Sequence, residues 1–166
     1  MKLVTIGVYG FCEATFFEAL QRAGVDTLCD IRWRRGVRGA EYAFANSARL
    51  QKRLAELGIR YFHFRELAPT PELRRRQAEA DAAQRTAKRQ RRTLSEAFVA
   101  DYRQERLTGF DSRKFLEQLG SQAQTVALLC VEREPGACHR SILAERLSQD
   151  PGAAVEITHL APSPNV

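Results

Sequence analysis

Apolar and polar positions alternate along this chain in blocks that change period. Residues 2–6 are a short apolar run ending at Gly7-Val8-Tyr9-Gly10, which predicts a first strand followed by a tight turn. Residues 14–23 carry Phe16, Phe17 and Leu20 at helical spacing and stop at Gly24. A second strand is expected over 25–31 and a third over 59–64. Between them a helix over 47–57 shows Leu50, Leu54 and Leu57 on one face, with Ser47 as its N-cap and Gly58 past its end. Thr93 or Ser95 can start a helix bearing Phe98, Tyr102 and Leu107, and Asp111 can start another bearing Phe115, Leu116 and Leu119. Residues 125–130 read as a buried strand, 131–137 as a loop broken by Pro135 and Gly136, and Cys138 as the start of a helix. A last strand is expected over 155–159, and a frayed tail over 161–166.

Strands alternating with helices imply right-handed crossovers and a mainly parallel sheet. The expected fold is therefore α/β: about five strands covered by helices on both faces, a Rossmann-like three-layer sandwich. A chain of 166 residues suits one domain, taken as 1–160. Residues 70–93 interrupt the alternation. From 72 to 92 there are eight Lys or Arg residues, and the apolar positions are almost all alanine. This predicts a basic helical excursion or a mobile arm that packs little.

In parallel sheets ligands dock outside the carboxyl ends of the strands. Here those ends carry most of the reactive residues. The first delivers Gly7 and Tyr9, and the second Asp30 and a loop with Arg32, Trp33, Arg34, Arg35 and Arg38. The third delivers His63 and Glu66. The fourth delivers Cys130 and Glu132, with Cys138, His139 and Arg140 at the helix start. Arginine forks and an aromatic face suit phosphates and bases. Gly7, Tyr9, Arg32, Arg34, Arg35 and Arg140 are thus the candidate ligand- or phosphate-binding residues. Asp30 and Glu132 are candidate general bases, since a carboxylate among arginines stays ionised. Cys138 beside His139 at a helix N-terminus is a candidate activated thiol.

The net charge of +6 favours phosphate-bearing partners, and four irregularly spaced cysteines argue for reduced thiols rather than a disulfide scaffold. No apolar run approaches membrane-spanning length and no signal-peptide pattern opens the chain, so a cytoplasmic location without membrane partners is expected. The glycines after the first strand do not complete a dinucleotide fingerprint, and no cofactor is expected.

The segments TIGVYG, LCDIRWRRGVRG, YAFAN, GIRYFHFRELAPTPE and CVEREPGACHR resemble the bacterial and archaeal family called domain of unknown function 488. The resemblance covers nearly the whole chain. Its pattern falls on Thr5, Gly7, Asp30, Arg32, Cys130, Glu132, Cys138, His139 and Arg140; where many members have His-Ser, this chain has Val8-Tyr9. The resemblance implies an α/β fold and no established activity.

The leading functional reading is a protein that binds or acts on a nucleic acid or nucleotide through an anion site at the strand ends. The alternatives are a thiol-dependent enzyme using Cys138 or Cys130, and a non-enzymatic ligand-binding domain. Cys130, Cys138 and Arg140 are only loosely similar to the Cys-x5-Arg anion loop of phosphatases and rhodaneses, because that spacing from Cys130 falls on Gly136. A four-ligand metal site from Cys130, Cys138, His139 and His63 is conceivable. No metal is expected, since Cys-x7-Cys matches no common zinc knuckle and Arg140 opposes a cation.

Overall fold

The computed structural model describes residues 1–149 and 155–163; positions 164–166 of the expected tail lie outside them. Five parallel strands form one sheet: β1 (Lys2–Ile6), β2 (Thr27–Asp30), β3 (Arg60–His63), β4 (Thr125–Leu129) and β5 (Glu156–Leu160), in the order β3-β2-β4-β1-β5. β1 pairs with β4 and β5, and β2 with β3 and β4, all in parallel. Central β4 is buried along its whole length, which explains its unbroken apolar run.

The pleat sends alternate residues to two cores. Val4, Ile6, Leu28, Ala127 and Leu129 face one, packed under α1 (Glu13–Arg22) and α2 (Ser47–Glu56) through Phe16, Leu20, Leu50 and Leu54. Leu3, Cys29, Val126 and Leu128 face the other. They are covered by α3 (Pro71–Ala83), α4 (Glu96–Tyr102), α5 (Ser112–Leu119) and α6 (His139–Ser148). This is the three-layer α/β sandwich that the alternating pattern implies. Among the described residues no helix is long and apolar enough to cross a membrane.

The differences from the sequence pattern are local. The strands run shorter than their apolar stretches, because Val25, Ile31, Ile59 and Phe64 bury their side chains just beyond the ladder. Asn46, not Ser47, is the N-cap position of α2. Ser95, not Thr93, caps α4, its Oγ accepting from Phe98 N–H at 3.2 Å. After Tyr102 the backbone widens into a π-turn over Arg103–Leu107 rather than continuing as α-helix.

The larger difference is the basic segment. Thr70 caps α3 through Leu73 N–H, and Pro71 sits in its first turn. The helix then buries Leu73, Gln77 and Asp81, one face at four-residue spacing. The buried pair is satisfied internally. Gln77 Nε2 donates to Asp81 Oδ1 at 2.8 Å, and Gln77 Oε1 accepts from Ser95 N–H and Oγ, each at 3.0 Å. The segment therefore packs through a polar seam instead of lying free.

Two loops meet at the carboxyl end of the β1–β4 pair. Val8 and Tyr9 both donate their N–H to Val131 O at 3.0 Å. A Cβ on Gly7 would lie 1.8 Å from the Glu132 carbonyl oxygen. Only glycine permits that approach, and the group it admits is this protein's own backbone. Gly7→Ala is accordingly expected to lower unfolding stability by about 1–3 kcal/mol or more, read as a fall in urea midpoint at constant slope.

Candidate functional site

Asp30 ends β2 with its carboxylate fully buried. It accepts from Arg32 N–H (3.1 Å), Arg32 Nε (2.8 Å), Arg32 NH2 (2.7 Å) and the Tyr61 hydroxyl (2.8 Å). Those four bonds occupy its acceptor positions, so Asp30 has none left to take a proton from a ligand or water. Arg32 spends its remaining terminal nitrogen on Ala45 O at 2.9 Å. The pair fixes the β2 loop to the turn before α2. Burial, then the Asp30 charge, pushes the Tyr61 phenol up to about 12. Arg35, expected to bind phosphate, is raised chiefly by the neighbouring Tyr61 hydroxyl and does not line the cavity under α3.

Arg140 is also fully buried. It donates to Glu132 O at 2.6 Å, Arg133 O at 2.9 Å and Thr5 Oγ1 at 3.4 Å. Its guanidinium clamps the β4–α6 loop onto β1, out of reach of a ligand. Tyr9 and Trp33 are likewise engaged. The Arg89 guanidinium lies 4.7 Å over Tyr9, and that of Arg65 lies 4.3 Å over Trp33. His63 donates Nε2–H to Arg32 O at 2.9 Å.

What these anchors frame is a cavity of about 290 Å³ under α3. Its floor is Cys130, Cys138 and His139, its wall Glu132, and its mouth Trp33, Arg34 and Arg74. Gln77, Asp81, Lys88 and Arg91 close it from the basic segment. Of the candidate residues, Arg32, Arg34, Glu132, Cys138 and His139 line this space, and Gly7, Tyr9, Asp30, Arg35 and Arg140 do not. Arg74, Lys88 and Arg91 are functional candidates that sequence reasoning left inside an undifferentiated basic run. The four-residue spacing of Leu73, Gln77 and Asp81 is the signal that identifies the inward face.

On the floor, His139 Nε2 lies 3.0 Å from Ile31 O, and a carbonyl only accepts, so Nε2 carries a proton. His139 thus turns Nδ1 toward Cys130 Sγ and Cys138 Sγ, each at 3.7 Å. Burial opposes ionisation of Cys138. The Cys130 hydrogen bond and the charges of His139 and Arg140 outweigh it and hold the Cys138 thiol well below its ordinary range. Cys130 is pushed up, first by its hydrogen bond to Cys138 and then by burial. Burial raises Glu132 as well, against the pull of Lys88 and Arg91.

The wall is cross-braced. Arg91 pairs with Asp81 at 2.6 Å, lies 3.7 Å from Glu132 and donates to Ala137 O at 3.1 Å. Lys88 Nζ lies 3.4 Å from Glu132. Arg91 Nε is buried and has no acceptor among the described residues. Arg34 and Arg74 have neither a hydrogen-bonded side-chain partner nor an ion pair there. Burial, then the charge of Arg34, lowers Arg74, and the Cys130 sulfur pulls the other way.

Removing Asp30 leaves Arg32 buried without its counter-charge. Asp30→Ala is expected to cost about 3–5 kcal/mol of stability, measured by denaturant unfolding.

The model of the family described as domain of unknown function DUF488 matches residues 13–147. No curated protein and no solved structure matches the chain.

Proposed function

Because the chain belongs to the DUF488 family, whose description carries no activity, we propose a function from the cavity itself. It binds a small phosphate-bearing ligand of nucleotide size and presents it to the sulfur–imidazole floor. The observation that carries this reading is the pair Arg34 and Arg74. Two guanidiniums that repel one another line one space, and neither has an ion pair among the described residues, where the acids of that space, Glu132 and Asp81, are engaged by Lys88 and Arg91. Such an arrangement is stabilised by an anion between them. The unpartnered Nε–H of Arg91 in the same wall supports the same reading.

The size of the cavity favours a mononucleotide or smaller phosphate over a nucleic-acid strand. The expected arginine loop does not act as one patch, since Arg32 is spent on Asp30 and Arg35 does not line the cavity. Any chemistry on the bound anion falls to the groups facing it: Glu132 from the wall and Cys130, Cys138 and His139 from the floor.

Isothermal titration with inorganic phosphate, mononucleotides and a short single strand checks this. Saturable binding of one of the first two is expected, weakened about 10-fold or more by Arg34→Ala and by Arg74→Ala. Binding that ignores both substitutions, or tight binding of the strand alone, contradicts it.

A further inference from the structure

The floor of the cavity holds an arrangement that phosphate binding does not require. Three soft or borderline donor atoms, Cys130 Sγ, Cys138 Sγ and His139 Nδ1, lie within 4.8 Å of one another. All three residues are buried, and both cysteines are free thiols. We propose that Cys130, Cys138 and His139 bind one Zn²⁺ ion through two thiolates and an imidazole, with the fourth coordination position open to the cavity.

The two sulfur–nitrogen spacings fit the ion. Zinc takes sulfur at about 2.3 Å and nitrogen at about 2.0–2.1 Å, so a tetrahedral sulfur–nitrogen ligand pair is separated by about 3.6 Å. Both sulfur–nitrogen separations here are 3.7 Å. The imidazole is already turned for ligation. Ile31 O holds Nε2–H at 3.0 Å, which leaves Nδ1 as the donor. A backbone carbonyl on the far nitrogen is the usual outer partner of a zinc-bound histidine. The ring is further fixed by Tyr102, 5.3 Å away between centroids, whose hydroxyl is tied to Leu67 O at 2.6 Å.

Charge does not oppose the ion. Two thiolates neutralise Zn²⁺, so Arg140 faces a centre with no net charge, and its donors are directed at carbonyls and Thr5 rather than at sulfur. Thiolate and imidazole donors select zinc over magnesium or calcium. His63, the candidate fourth ligand, is bonded to Arg32 O and is not in the cluster. Three protein ligands with a fourth position facing a cavity is the arrangement of catalytic rather than structural zinc. Such an ion would stand as a Lewis acid beneath the anion's position.

The inference does not need the anion reading, and its test contains no phosphate. Reduced, metal-free protein is titrated with Zn²⁺ against a chromophoric chelator, and with Co²⁺ as an absorbing substitute. One equivalent per chain is expected, with sulfur-to-cobalt charge-transfer absorption of two thiolates. Cys130→Ser and Cys138→Ser should each remove half of that absorption and weaken zinc binding by more than about 100-fold. Cys12→Ser, at an exposed thiol, should change neither. Circular dichroism verifies that each variant is folded; should one unfold, wild-type stoichiometry and the cobalt spectrum still decide. Absence of one-to-one binding tighter than about 1 μM overturns the proposal. So does binding that survives both serine substitutions, or a Cys130–Cys138 disulfide in place of metal affinity.

Discussion

A buried guanidinium with no carboxylate partner among the described residues holds this molecule's working end together. Arg140 satisfies its positive charge with two carbonyls of the β4–α6 loop and the hydroxyl of Thr5 on β1. An unpaired buried charge is tolerable only if its donors are all engaged. The loop is thereby held at one height above the sheet, and Gly7 removes the side chain that would keep it away. Cys130 on one side of the loop and Cys138 on the other are brought to one imidazole as a consequence.

A buried ion pair performs the same service from the neighbouring strand. Asp30 and Arg32 neutralise each other and tie the β2 loop to Ala45. That loop supplies Ile31 O, which sets the His139 tautomer, and Arg34, which reaches the mouth. Two arginines of one loop thus differ: Arg32 is turned inward and spent, and Arg34 lines the cavity without an ion pair among the described residues. α3 and the turn after it complete the enclosure, with Gln77, Asp81 and Arg91 linked in a polar seam that ends at Glu132.

Much of this was legible in the chain. The short apolar runs and helical blocks marked every strand of the sheet, and the carboxyl-end rule pointed to the rim where Arg34, Glu132, Cys138 and His139 line one cavity. Composition could not reveal which arginines would be consumed within the fold. Arg32, Arg34, Arg35 and Arg140 are chemically alike, and only the acceptors around each distinguish anchor from ligand site. Nor could apolar periodicity find the buried face of α3, because that face is built from Gln77 and Asp81 as well as Leu73. The sulfur cluster was legible only as a conceivable metal site that the spacing did not favour. Its cysteines lie on a strand end and a helix cap, so their spacing matches no compact loop motif.

The central claim is that one cavity unites a cationic mouth with a metal-binding floor. Anomalous diffraction from crystals soaked in zinc and tungstate, the latter a heavy stand-in for phosphate, tests both at once. The account predicts a zinc peak among Cys130 Sγ, Cys138 Sγ and His139 Nδ1, and a tungsten peak beside Arg34 and Arg74 in the same space. Peaks confined to the outer surface, with the floor and mouth both empty, would contradict it.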